Sequence, residues 1–365
     1  FDAKGNFRKP EKGEEETGRD ILIRKATGYV SFVRGENPYT FPYRIYPDLF
    51  SPENTFDNNV VPKENVIGGK LVENKIDTVT KHNLFLVKIG EYQKMIYNGI
   101  INSHNSEVAG DKEGETRLSY TKLQEPIQSL NITFPVNDEY LSSEQNMEDT
   151  ISRGNIQIKE TIGTKGLKSV MEYVDERSAD NMVKGMFEYK PWVQKSQHAN
   201  FLNRDKIGSY SPKMKHICDS IHKSKGVILI YSQYLDGALI PMALALESMG
   251  ITRYGEKKKS LFKTPPTTPI DYKSMEAIQK GSSGRPAKYI MITGDKRLSP
   301  NNINEIIVAT EDENKEGQNV KVILISMAGS EGVDLKFIRQ VHILEPWYNL
   351  SRLDQTIGRA VRNNS

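Results

Sequence analysis

Two arginines three residues apart close the run Gln355-Thr356-Ile357-Gly358-Arg359-Ala360-Val361-Arg362. On a helix that spacing puts Arg359 and Arg362 on one face. Paired guanidiniums suit the oxygens of a terminal phosphate, because each is a planar, permanently charged fork that can neutralise the charge spreading during phosphoryl transfer. The plainer alternative is a solvated basic helix end paired with acids, and an isolated Gly-Arg-Ala-Val-Arg would favour it.

Upstream segments change that balance. Ser326-Met327-Ala328-Gly329-Ser330-Glu331-Gly332-Val333-Asp334 follows directly on the apolar run Val322-Ile-Leu-Ile325. Small residues at the carboxyl end of a strand let backbone amides approach a phosphate, although an ordinary tight turn with a capping Asp reads the same way. Val227-Ile-Leu-Ile-Tyr-Ser232-Gln233 is an apolar run whose exit offers a hydroxyl and an amide to phosphate oxygens, and Ile292-Thr293-Gly294-Asp295 is a short turn after another apolar run. Each is weak singly; their order along the chain makes coincidence a poor explanation.

Taken in that order, the segments resemble motifs IV, V and VI of superfamily 2 helicases. The resemblance implies Arg362 as an arginine finger, with Arg359 beside it on the phosphate and Gln355, Gly358, Gly332 and Asp334 near the nucleotide. It implies Ser232, Gln233, Thr293, Gly294, Ser326 and Gly329 as nucleic-acid contacts, ATP and Mg2+ as ligands, and no other metal. Three stretches narrow it: GYVSFVRGENPYTFPYRIYP, YSQYLDGALIPMALALESMGITRY and GSEGVDLKFIRQVHILEPWYN are similar to the helicase-like ATPases of nucleocytoplasmic large DNA viruses, the group that includes poxvirus transcription ATPases. Residues 86–97, LVKIGEYQKMIY, resemble the bridging helix of Swi/Snf-type translocases. The implied partners are DNA or RNA and a viral RNA polymerase or transcription factors, and the implied setting is the host cytoplasm or virus factory, extending to the virion. The family pattern has a gap, because no Walker A loop or DExH acid pair occurs in the chain. Gly163-Thr-Lys-Gly166-Leu-Lys168-Ser169 has one residue too many before its Lys and no apolar strand ahead of it, so it reads as a surface turn. This portrays an excerpt that is inactive alone, in which most of the ATP and Mg2+ contacts come from absent first-lobe motifs.

Residues of this kind act only where a framework holds them. From Tyr210 onward four short apolar runs, Val227–Tyr231, Tyr289–Ile292, Val322–Ile325 and Val341–Leu344, alternate with helix-like segments at 213–222, 235–249, 303–309 and 351–361. Runs apolar on both faces predict a parallel sheet covered by helices on both sides, an α/β fold of RecA-like lobes. The expected division is the remainder of a first lobe with a bridging segment at 1–130, a polar connector or surface insertion at 131–204, and a second lobe at 205–365. Within the first part, residues 81–100 read as a short strand followed by an amphipathic helix, and the Pro-rich stretch 252–288 reads as a mobile loop.

Composition limits the alternatives. No apolar run approaches the roughly 18 residues of a membrane span. One cysteine, Cys218, forms no internal disulfide, which fits a reducing, intracellular setting. With 50 basic and 47 acidic residues there is no global basic field, so nucleic acid must be held by local patches. His216, Cys218 and His222 share a helix without the histidine pair of a zinc site; Trp347 and Tyr348 could stack on bases but suit packing better; Lys257–Lys259 is a charge run most simply solvated. Two functions compete with a motor. One is a helicase-like transcription factor that has lost ATPase activity, against which the retained arginine pair argues. The other is a dinucleotide enzyme, which would need a Gly-rich turn where Ser232-Gln233-Tyr234 stands.

Overall fold

The computed structural model describes residues 20, 23, 43–55, 84–110, 120–137, 158–173, 187–255, 260–296, 298–299, 302–329, 333–345 and 350–361. The chain divides into two compact units, residues 1–41 and 42–365. Only Asp20 and Ile23 of the first are described.

In the second unit, helices α1 (Glu91–Gly110) and α2 (Tyr120–Asn131) precede a short helix α3 (Gly163–Val170) and an antiparallel pair, β1 (Met171–Tyr173) with β2 (Phe187–Tyr189). Then follow α4 (Pro212–Lys223), β3 (Val227–Tyr231), α5 (Ile240–Ser248), β4 (Thr252–Arg253), β5 (Lys288–Ile292), α6 (Asn302–Thr310), β6 (Val322–Ile325), β7 (Ile338–Ile343) and α7 (Leu350–Ala360). Strands β3 to β7 form one sheet in the order β4-β5-β6-β3-β7, and every neighbouring pair is parallel.

The strand sequences dictate this layering. Successive side chains point to opposite faces. Ile228, Ile230, Tyr289, Met291, Val322 and Leu324 enter one core, while Val227, Leu229, Ile290, Ile292, Ile323 and Ile325 enter another. Met214, Ile217, Cys218 and Ile221 of α4 and Met242 to Leu246 of α5 cover the first face. Ala309 of α6, Ala360 of α7, Val320, Val333 and Leu335 cover the second. Pro212 opens α4 where a missing N–H costs nothing, and the Ser211 hydroxyl caps that helix by accepting from the Met214 N–H at 3.1 Å. The expected α/β lobe with helices on both faces is therefore present; β4, only two residues long, escaped the sequence reading.

Elsewhere the structure differs from expectation. Residues 84–90 form no strand; the Leu86 N–H instead donates to the Asn54 carbonyl at 2.7 Å. The stretch read as a connector supplies Ile132, Phe134, Leu167, Val170, Phe187, Val193, Phe201 and Leu202 to the same core that backs the sheet. Its apolar residues sit at irregular intervals in turns and short helices, so no period of two or 3.6 announces them. They are held partly by aromatic edges: Phe201 meets Phe134, Tyr189 and Tyr210 with centroids 5.2–6.3 Å apart. The 252–288 stretch is anchored as well. The buried Glu247 carboxylate accepts from the Leu261 and Phe262 N–H groups (2.8 and 3.1 Å), the Ser260 hydroxyl and the Tyr289 hydroxyl (2.8 Å). No helix among the described residues is long and apolar enough to cross a membrane.

If residues 131–204 are core, Phe134→Ala should lower the unfolding free energy by about 3–5 kcal/mol. Chemical denaturation measures this, and a change under about 0.5 kcal/mol would return the stretch to the surface.

Candidate phosphate site and nucleic-acid interface

Because β3 to β7 are parallel, their carboxyl ends, with Ser232, Thr293, Ser326 and Leu344 as the next residues, open on one edge of the sheet. This is where open α/β sheets place ligands. The hydroxyls there are spent inside the protein. Thr293 is buried, its Oγ1 hydrogen-bonds Ser299 Oγ at 2.9 Å, and its N–H donates to the same oxygen. Ser326 is buried and its Oγ accepts from the Gly329 N–H at 3.3 Å. Ser232 is fully buried and donates to Glu345.

The exposed residues at this edge are Gly294, Met327 and Ala328. The two loops touch closely. A Cβ on Gly329 would fall 2.1 Å from the Ile292 carbonyl oxygen, and one on Gly294 would fall 2.9 Å from Ala328 Cβ. Glycine at both positions lets the turn after β6 lie against the turn after β5, leaving a low ridge of main chain that a sugar–phosphate backbone can approach.

The arginine helix packs on the second face of the sheet. Thr356 and Ala360 of α7 are buried and Gln355 is exposed, while Gly358 and Arg359 are half-buried. The Leu335 N–H donates to the Arg359 carbonyl at 3.2 Å, tying the segment after β6 to the helix. Asp334, next to Leu335, is exposed. No ion pair engages Arg359 among the described residues, and a Cβ on Gly358 would meet nothing within 4 Å. Glycine inside a helix costs roughly 0.5–1 kcal/mol relative to alanine. Packing within the described chain does not require it, and the space beside an unengaged guanidinium suits a phosphate donor set. Arg362, Gly332, Trp347, Tyr348 and Lys257–Lys259 lie outside the described residues.

Sequence reasoning missed a buried polar cluster behind these loops. Glu345, two residues after β7, accepts from the Gln233 N–H at 2.6 Å, the Ser232 hydroxyl at 2.8 and 2.9 Å, and Asn131 Nδ2 at 3.0 Å. Lys213 Nζ donates to Asn131 Oδ1 at 2.9 Å and to the Leu344 carbonyl at 2.5 Å. Burial raises the Glu345 carboxyl above its usual range; it also draws the Lys213 ammonium down to about 8, against the opposing charge of Glu345. Nearby on β7, burial and then the neighbouring His216 push His342 down to about 4. His216 itself stacks on Phe85 at 4.3 Å, and burial pushes the Cys218 thiol up to about 12.

A doubly covered parallel sheet whose carboxyl edge carries close glycine turns, with an arginine helix behind it, has the architecture of a RecA-like lobe. Comparison with known proteins agrees: residues 212–364 match the family described as helicase conserved C-terminal domain. It is similar to a termination factor NPH-I homolog of African swine fever virus, 30% identical over 165 residues that cover 42% of this chain and 23% of that protein. A protein of Acanthamoeba polyphaga mimivirus, provisionally named an ATP-dependent RNA helicase, is 28% identical over 256 residues, 68% of this chain and 46% of its own length. Nucleoside triphosphatase I of Heliothis armigera entomopoxvirus is 45% identical over 53 residues, 14% of this chain and 8% of that protein. The chain thus spans less than half the length of these curated relatives.

Two outcomes follow from the packing. Gly329→Ala should destabilise the chain by about 1–3 kcal/mol in thermal unfolding, because the methyl would meet main chain that cannot rotate away; an unchanged midpoint would contradict the loop contact. For His342, whose folded pKa lies below the ordinary 6.5, stability is fully present above 6.5 and is lost as pH falls toward 4. Compared with His342→Gln, the native chain should therefore lose up to about 3 kcal/mol over that window; parallel pH profiles would show that the ring is not kept neutral.

Proposed function

We propose that this chain supplies the second motor lobe of an ATP-dependent nucleic-acid helicase or translocase acting in the transcription of a large DNA virus. One observation carries the reading. Arg359 stands half-exposed on α7 without an ion pair among the described residues, next to a glycine with open space over it. The names of the relatives, a termination factor and nucleoside triphosphatases or helicases, support the transcriptional setting.

In this reading the chain acts across a cleft. Arg359, joined by Arg362, neutralises charge on the terminal phosphate of ATP as it transfers to water, a role worth about 10³-fold or more in rate when filled by an arginine finger. Gln355, Gly358, Gly332 and Asp334 line the nucleotide side. The Walker A loop and acid pair that grip ATP and Mg2+ come from residues outside this chain, which contains neither. At the carboxyl edge, main-chain groups of Gly294 and of residues 327–329 meet nucleic-acid phosphates. Ser232, Gln233, Thr293 and Ser326 contribute by shaping those turns, since the Ser232, Thr293 and Ser326 side chains are buried. Closure and reopening of the two lobes then step them along DNA or RNA. Residues 1–130 would hold the end of the first lobe and the bridge, with the second lobe from 205.

The ATPase rate of the intact protein, measured with and without DNA or RNA, tests this. Arg359→Ala and Arg362→Ala should each lower kcat by about 10²-fold or more while ATP still binds. A nucleic-acid-binding protein whose feeble ATPase ignores both substitutions would instead be a helicase-like factor without motor activity.

A further inference from the structure

The arginine helix begins five residues after Glu345, and that carboxylate is the meeting point of four elements: the exits of β3 and β7, the last residue of α2, and through Asn131 the start of α4. Nothing in the phosphate chemistry above uses it. A buried acid held by three donors is an expensive way to join loops that apolar contacts could join. What it provides is direction. The Gln233 N–H is fixed on one carboxylate oxygen and Asn131 Nδ2 on the other, with the Ser232 hydroxyl between them, so the carboxylate sets where the chain leaving β7 lies relative to Ser232 and Asn131. Asn131 belongs to α2, which is tied to α1 by Gln93 Nε2 donating to the Ser129 carbonyl at 2.7 Å, and Tyr92 of α1 donates to the Phe134 carbonyl at 2.7 Å. The helical pair ahead of the lobe is thus connected, hydrogen bond by hydrogen bond, to Glu345, five residues ahead of α7 in the sequence.

We propose that Glu345 is a positioning residue for the arginine helix: it orients α7, and with it Arg359, relative to the α1–α2 pair, so that the lobe presents its guanidinium in register with a nucleotide held by the preceding lobe. This deepens the motor reading and rests on it. The residue touches neither nucleotide nor nucleic acid, and its effect is confined to the geometry of a group that does.

The test exploits hydrogen-bond polarity. In Glu345→Gln an amide N–H replaces one acceptor and must face Asn131 Nδ2 or the Gln233 N–H, two donors opposed. Adding Asn131→Asp reverses the partner, which can then accept from the introduced amide and pair with Lys213. The intact protein is titrated with ADP and with ADP–aluminium fluoride plus magnesium, a mimic of the transferring phosphate, and dissociation constants are read separately from stoichiometry. The expected result is that Glu345→Gln weakens the mimic about tenfold or more, leaves ADP unchanged, and is restored to within about threefold by the double substitution. Arg359→Ala serves as reference. Simple unfolding would lower the number of sites and not their affinity, so reduced stoichiometry at native affinity overturns the proposal, as does native behaviour of the single variant. If Arg359→Ala itself leaves the mimic's affinity unchanged, the motor reading fails and this inference falls with it; if only Glu345→Gln is silent, the motor reading stands alone.

Discussion

Placing a carboxylate beyond the reach of water costs several kcal/mol unless its lone pairs are occupied. At Glu345 they are occupied by the Ser232 hydroxyl, the Gln233 amide and the Asn131 side chain, with Lys213 one hydrogen bond further on. The chain leaving β3 and the end of α2 are arranged around this solution. It aligns the ends of β3 and β7, adjacent in the sheet but more than a hundred residues apart in the chain. It uses up the Ser232 hydroxyl that a strand exit would otherwise offer to a phosphate. It also brings the end of α2 against the exits of β3 and β7. Glu247 solves the same problem elsewhere, gathering two backbone amides and two hydroxyls to root an irregular stretch against β5. In both places a charge that could not be buried alone is the organiser of chain with no regular structure of its own.

The sheet was legible because a parallel strand covered on both faces has no polar alternation to hide it, and VILIY, YIMI and VILI stand out from their surroundings. The helices between them followed by elimination. Phe134, Phe201, Leu202 and Ile207 were not legible: they are buried from turns and irregular chain, at no helical or strand period. Glu345 was unreadable for a related reason. An acid after a strand in Leu-Glu-Pro is indistinguishable from a surface charge until Asn131, 214 residues away, is seen beside it. The one available hint was its place directly after the apolar run Val341–Leu344, where charges are uncommon.

At the candidate site, the types and order of residues pointed to the carboxyl edge of the sheet, where the structure gathers them, but not to which atoms would be exposed there. Thr293 and Ser326 suggested hydroxyl donors; the structure turns both inward to stabilise their own turns, and the glycines that looked like accessories bring the loops together. What such an edge exposes is largely main chain. These are the same in every sequence and read a repeating phosphate backbone well while carrying little information about bases.

The anchoring of the 252–288 stretch has a consequence for how the lobe can vary. Its roots are fixed at Glu247 and at the start of β5, while residues 263–268 between Phe262 and Ile270 are all exposed. Lengthening a loop between fixed ends costs only about 0.6 kcal/mol for each doubling. Two anchored ends therefore make this stretch a place where the lobe can accept new sequence without disturbing the sheet, and where proteins sharing the fold can diverge in what they attach to it.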